Sequence, residues 1–251
     1  MTQANRLQEI RRLLLEKREL KTKEIASHFG ISFDTARRDV LRLTKTGQAI
    51  RIHGGIMAVD DDNVPSYLAR QHILSPVKRD LAEIASHFVH DGQCDFIGPS
   101  TSLNLLCQQL AGRDLTVVTN SIDNVLALLP SRLPAVSFLG GKVEKNNRFT
   151  HSPQAMETLR QLRFNTAFIG TAKIGPDGAY LKDADDAAMI QLAISRAQRI
   201  VLVAEKHKFV SEITAPYQSA PLDRIDVVIT DAPLDAETQK LFSPKTRLIH
   251  L

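Results

Sequence analysis

Three arginines and a threonine stand where they could read nucleic acid. Spacing predicts a helix over residues 31–43, and Thr35, Arg38 and Arg42 fall on one near-continuous face of it, with Arg37 at the edge. Guanidiniums presented this way pair bidentately with guanine edges or with phosphates. A second group of side chains suits a small anion. It sits in Gly98-Pro99-Ser100-Thr101-Ser102, Thr119-Asn120-Ser121, Gly140-Gly141-Lys142, Gly170-Thr171-Ala172-Lys173 and Glu205-Lys206-His207-Lys208-Phe209. Hydroxyl and N–H donors at a helix N-terminus attract negative charge, and glycines let a ligand approach the backbone. Capping by Ser100 or Thr101, with no ligand, explains the first of these loops equally well.

These groups need particular elements to hold them. In the arginine-bearing helix, Ser32 is placed to cap the N-terminus, while Ala36, Val40 and Leu43 form the apolar face. The preceding stretch, Thr22 to Gly30, reads as a short helix stopped by glycine. Helix, glycine turn and basic helix make a helix-turn-helix pattern, although an ordinary helical hairpin with a solvated charged face shares it. Residues 47–57 alternate apolar and polar positions and turn at Gly54-Gly55, which predicts a small β-wing bearing Arg51 and His53. Thr22, Ser32, Thr35, Arg37, Arg38, Arg42, Arg51 and His53 are the candidate DNA contacts. A first helix over residues 5–19 supplies Leu7, Ile10, Leu13 and Leu14 to the core, with its basic residues outside.

Ser32-x-x-Thr35-Ala36-Arg37-Arg38-Asp39, followed by Gly47-x-x-x-Arg51-x-His53-Gly54-Gly55, resembles the signature of DeoR-family bacterial transcription regulators. The resemblance implies Thr35, Arg37 and Arg38 as the main DNA contacts, helped by Arg51 and His53. Asp39 is expected to orient a neighbouring arginine, because phosphate repels a bare carboxylate. Val117-Val118-Thr119-Asn120-Ser121, Leu139-Gly140-Gly141, Phe168-Ile169-Gly170 and Lys208-Phe209 extend the resemblance to the family's sugar-phosphate-sensing domain, related in fold to ribose-5-phosphate isomerase. It implies effector contacts from Ser100, Thr101, Ser102, Asn120, Ser121, Gly141 and Lys208; the loop chemistry adds Lys142, Lys173 and Lys206.

The chain also departs from the family pattern. Where the family has Asp-x-Gly-Thr-Thr, this sequence has Gly98-Pro99-Ser100-Thr101-Ser102. Ala187 stands for a glutamate, Lys173 for a glycine, and Glu205 and His207 for the aspartate and serine of Asp-x-Ser-Lys-Phe. Hydroxyl donors survive while carboxylates that would grip sugar hydroxyls are fewer. The expectation is a different, more anionic effector, or a pocket that no longer senses.

The 251 residues allow one small and one medium domain: a winged helix-turn-helix over 1–57, a linker over 58–75, and a mostly parallel α/β domain over 76–251 for effector sensing and oligomerisation. The linker carries Asp60-Asp61-Asp62 and Pro65. Alternating helical and apolar strand segments from Pro76 onward imply a parallel sheet covered on both faces, with ligands at the carboxyl ends of the strands. Residues 1–57 hold twelve Lys/Arg against six Asp/Glu, net +6, while the remainder holds twenty against twenty-two, net −2. The positive charge thus gathers in the segment assigned to DNA. No apolar run is long enough to span a membrane and no signal peptide is evident, so a cytoplasmic location is expected. Cys94 and Cys107 suit reduced core thiols; no metal or cofactor is expected.

The sequence therefore points to a DNA-binding regulator, a repressor of carbohydrate uptake or catabolism. Its expected partners are a double-stranded operator and a sugar phosphate or similar anion, and it would act as a homodimer or homotetramer. The alternatives are a sugar-phosphate isomerase with a DNA-binding head, drawing on Asp177, Asp183, Asp185, Asp186 or Glu205, and a DNA-binding protein without a ligand.

Overall fold

The computed structural model of the chain describes residues 3–17, 19–45, 49–52, 54–58, 67, 76–210 and 215–251. The chain divides into two compact units, residues 1–74 and 75–251. His53 lies outside the described residues. So does the expected linker over 58–75, except Ala58 and Tyr67.

The first unit contains α1 (Gln3–Lys17), β1 (Glu19–Lys21), α2 (Thr22–Phe29), α3 (Phe33–Lys45), β2 (Ala49–Ile52) and β3 (Gly55–Ala58). The helical period places Ile10, Leu13 and Leu14 of α1 against Ile25 of α2 and Ala36, Val40 and Leu43 of α3. Leu7 packs at the margin of this core. Two expectations need correction. Glu19 does not end the first helix but begins β1, which pairs antiparallel with β3 and sets Leu20 opposite Ile56. Three residues carry no readable alternation, so this strand exists only through its partner. Arg6 is buried rather than outside the apolar stripe. The wing is therefore a three-stranded sheet in the order β1-β3-β2. Gly55 is required by that pairing, since a Cβ there would lie 2.2 Å from the Leu20 carbonyl oxygen.

The second unit runs α4 (Pro76–Ser86), β4 (Cys94–Ile97), α5 (Thr101–Gln108), β5 (Thr116–Thr119), α6 (Ile122–Leu128), β6 (Ala135–Phe138), β7 (Lys142–Glu144), β8 (Phe149–His151), α7 (Pro153–Gln161), β9 (Phe164–Ile169), β10 (Lys173–Ile174), β11 (Gly178–Leu181), α8 (Ala184–Ser195), β12 (Ala197–Val203), β13 (Tyr217–Pro221), β14 (Val227–Thr230), α9 (Ala236–Gln239) and β15 (Arg247–His250). Seven strands form a parallel sheet in the order β15-β14-β12-β9-β4-β5-β6. Successive residues point to opposite faces. Ile97, Val117, Phe168, Val201 and Ile229 thus meet α4, α5 and α6, while Phe96, Val118, Ala167, Ile200 and Val228 meet α7 and α8. The carboxyl ends of these parallel strands therefore lie at one edge.

Two antiparallel additions were not foreseen. β7 and β8 form a hairpin, and β10, β11 and β13 form a second small sheet. Their strands are two to five residues long, too short for an alternating pattern to register.

Candidate DNA-reading helix and anion-binding loops

Gly30 ends α2 at φ 59°, and its N–H reaches the carbonyls of Ala26 and Ser27. That left-handed turn swings the chain into α3. Ser32 Oγ accepts the Thr35 N–H at 3.2 Å and lies 2.9 Å from Thr35 Oγ1, so the two hydroxyls hold each other at the helix start. Ala36, Asp39, Val40 and Leu43 are buried, and Arg37, Arg38 and Arg42 are exposed on the opposite side. Arg42 Nη1 also donates to Gln3 Oε1 at 2.6 Å, tying α3 to α1. Arg51 is exposed on β2.

Thr22 departs from the expected DNA-facing set. It is buried at the start of α2, where its N–H donates to the Gly54 carbonyl at 2.8 Å. Asp39 does orient an arginine, but not a neighbour on its own helix. It is fully buried and takes Arg6 Nε of α1 at 2.6 Å, Arg6 Nη2 at 3.2 Å and Gln3 Nε2 at 3.1 Å. The hydrogen bond from Arg6 to Asp39 holds the guanidinium pKa above its ordinary value, against the opposing effect of burial.

At the loop edge of the second unit, the candidate residues fall into two groups. In the centre, Ser100 caps α5 by accepting the Ser102 N–H at 3.3 Å, with Thr101 and Ser102 buried beside it. Gly170 leaves room for Ser100, whose Cβ would lie 2.8 Å from any Cβ at that position. Lys208 Nζ donates to the Thr171 carbonyl at 2.7 Å, which joins the loop after β12 to the loop after β9. Lys206 lies alongside, its Nζ on the Pro233 carbonyl at 2.7 Å and its N–H on Asp231 Oδ1 at 2.5 Å. Lys78 of α4, missed from sequence, is buried with its Nζ 4.0 Å from Glu205 Oε2. Only its burial among leucines and alanines marks it out, and one sequence does not reveal that.

The second group lies towards β6. Asn120 and Ser121 are fully buried. Asn120 Nδ2 donates to the Thr150 carbonyl at 3.2 Å, and Ser121 Oγ caps α6 through the Asn124 N–H at 3.3 Å. Asn124, also missed, donates from Nδ2 to the carbonyls of Ile97 at 3.2 Å and Gly98 at 3.1 Å. It thereby fixes the start of the Ser100 loop.

Two effector candidates are explained otherwise by the fold. Gly141 has φ 146°, and a Cβ there would sit 2.2 Å from the His151 carbonyl oxygen, so the β7–β8 hairpin itself demands glycine. Lys173 is buried in β10 opposite Tyr180 instead of lying in an open loop. Lys142 is exposed on β7. A shallow depression of about 380 Å³ lies beside β6, lined by Ser137, Phe138, Gly141, Ser152 and Thr158 among others. It meets the candidate set only at Gly141, away from Ser100 and Lys208.

Several carboxylates considered for isomerisation are already engaged. Asp183 accepts the N–H groups of Asp185 and Asp186 at 2.9 and 3.1 Å as the cap of α8. Asp177 takes the Tyr180 hydroxyl at 2.7 Å, and Asp185 Oδ2 is 3.0 Å from His151 Nε2. Burial pushes the thiols of Cys94 and Cys107 above the ordinary range, which favours the unreactive protonated form. Among the described residues, no cluster of His, Cys, Asp or Glu is grouped to hold a metal ion, and no helix is long and apolar enough to cross a membrane.

A capped helix with exposed arginines in one unit and a parallel α/β sheet in the other define a two-part regulator. Residues 6–62 match the DeoR-like helix-turn-helix domain, and residues 75–232 match the DeoR C-terminal sensor domain. The chain is 31% identical over 232 residues to the transcriptional repressor GlcR of Bacillus subtilis, covering 92% of this chain and 89% of that one. It is 26% identical to the lactose phosphotransferase system repressor of Staphylococcus aureus, covering 92% and 93%. With the regulator IolR of Bacillus subtilis it shares 24% identity over 98% of both chains. Among solved structures, ribose-5-phosphate isomerase A from Neisseria gonorrhoeae overlaps 55% of this chain and 54% of its own, with TM-score 0.40 and 18% identity. This chain belongs to the DeoR family of DNA-binding transcription regulators.

Proposed function

We propose that this protein is a repressor of genes for carbohydrate uptake or breakdown, released from DNA by a phosphorylated sugar or a related anion. Arg37 and Arg38 carry the DNA half of the reading. They are exposed on a helix whose other face is buried and whose N-terminus is fixed by Ser32 and Thr35. Arg42 on α3 and Arg51 on β2 are exposed as further basic candidates; the candidate His53 lies outside the described residues. A two-fold dimer, or a tetramer of two such dimers, would set paired α3 helices in successive major grooves.

The effector half rests on Ser100, Thr101, Ser102 and Lys208, where loops after β4, β9 and β12 meet. Hydroxyls and N–H groups at the start of α5, with an ammonium nearby, suit a phosphate. Lys206 and Lys78 add positive charge to that edge. The engagement of Asp177, Asp183 and Asp185 in structural contacts favours a sensor over an isomerase. The effector acts only through its differential affinity for the DNA-competent and released states.

The test is thermal unfolding of the full-length protein against sugars, sugar phosphates, sugar bisphosphates and sugar acids. A specific ligand at about 100 times its Kd should stabilise by roughly 2.7 kcal/mol. The same compound should then weaken binding to a duplex selected from a random-sequence pool. A panel without any shift, alongside intact DNA binding, would refute the effector half and leave the DNA half standing.

A further inference from the structure

Phe33 is the first residue of α3 and is 50% exposed. Among the residues of the first unit whose side chains are described, no other large apolar side chain is exposed to this degree. The fold does not use it at the helix start. That role belongs to Ile31, which packs on the core from the position before the Ser32 cap, one turn from buried Ala36. A phenyl ring left half in water gives up about half of what full burial would contribute to folding.

Its surroundings specify a partner. Arg37 lies one helical turn further on the same side and is exposed, while Arg38, five residues on, is exposed further round the helix. An exposed phenyl with a guanidinium one turn away suits an apolar group set near phosphates. In helix-turn-helix proteins the N-terminal residues of the second helix meet the base edges in the major groove. The apolar feature there is the C5-methyl of thymine, which phenylalanine contacts.

We propose that Phe33 is a specificity-determining residue that packs on the C5-methyl of a thymine at a defined position of each operator half-site. The inference rests on the reading that α3 enters the major groove. It assigns to Phe33 a sequence preference that the arginines do not supply, since guanidiniums select guanine or phosphate.

The test uses full-length protein and a high-affinity duplex selected from a random-sequence pool. Each thymine is replaced in turn by deoxyuridine, which removes only the methyl. Burial of one methyl-sized group is worth about fourfold in affinity. With the unaltered protein, one thymine per half-site should show that loss on replacement. Phe33→Ala should bind the thymine duplex about fourfold more weakly and show no further loss with deoxyuridine there. Phe33→Leu, which keeps an apolar contact, should retain most of the discrimination. Unchanged thermal unfolding would show that neither variant disturbs the fold. A uracil penalty that persists in Phe33→Ala, or no uracil penalty with the unaltered protein, would overturn the proposal. Arg38→Ala run in parallel separates the two levels. If it weakens binding while Phe33→Ala changes nothing, the groove reading stands and the thymine contact fails. If neither variant changes binding, both fail.

Discussion

Arg6 and Asp39 lie 33 positions apart in sequence, yet Arg6 Nε meets Asp39 Oδ2 at 2.6 Å within the first unit. The Asp39 side chain is fully buried and that of Arg6 is 11% exposed. The pair joins α1 to the inner face of α3 and holds the helix whose outer face carries Arg37 and Arg38. Breaking one side of a buried pair leaves an uncompensated charge, costing roughly 3–5 kcal/mol, whereas replacing both by apolar residues is often neutral. Arg6→Met should therefore lower hydrogen-exchange protection across α3 and weaken DNA binding. The double substitution Arg6→Met with Asp39→Leu should recover most of both. A double variant as impaired as the single one would contradict the charge argument.

Arg38 is exposed on the outer face of α3. Arg38→Ala should cost about 1–3 kcal/mol of DNA affinity if the guanidinium reads a base edge, and should relax preference at one operator position. A uniform loss across sequences, with a shallower salt dependence, would reassign Arg38 to phosphate. The check is a competition assay over a set of duplexes at several salt concentrations.

Gly141 and Gly140 are adjacent but not equivalent. A Cβ at 141 meets the His151 carbonyl at 2.2 Å, while at 140 nothing lies within 4 Å. Gly141→Ala should destabilise the second unit by about 1–3 kcal/mol through backbone strain and loss of hairpin register. Gly140→Ala should be nearly silent. Chemical denaturation of both variants distinguishes this structural role from a purely ligand-binding one, which would leave unfolding of the unliganded protein untouched.

Asp95 is buried in β4, with Oδ1 accepting the Thr166 N–H at 2.9 Å. Burial pushes its carboxyl up to about 6, opposed by the Thr166 N–H and by Arg199. A folded-state pKa above the unfolded one means that the protonated form favours folding. Stability from this residue is present below about pH 4 and is lost as pH rises towards 6. The full effect is about 3 kcal/mol at most. Asp95→Asn should remove this contribution to the pH dependence and raise stability at pH 7 relative to the unaltered protein. Denaturation midpoints measured from pH 4 to 7 test it; parallel curves for the two proteins would be incompatible with the assignment.

The sequence by itself determined the features that repeat locally or depend on one residue's conformational freedom. The spacing of Ala36, Val40 and Leu43 made a one-sided helix, Ser32 began it, and Gly30 supplied the left-handed turn before it. Apolar strands such as those containing Phe168 and Val201 announced a parallel sheet covered on both sides. The hydroxyl-rich loop at Ser100 was legible for the same reason, since capping chemistry is local.

Tertiary structure decided what depends on partners remote in sequence. It turned Arg6 inward to Asp39, buried Thr22 and Lys173, and brought Lys78 to Glu205. It also created β1 from three residues that pair with β3, and required Gly141 because His151 crosses it. A polar or glycine residue reads the same in sequence whether it faces solvent, a ligand or another strand. The backbone and the opposite charge that chain folding brings against it settle the difference.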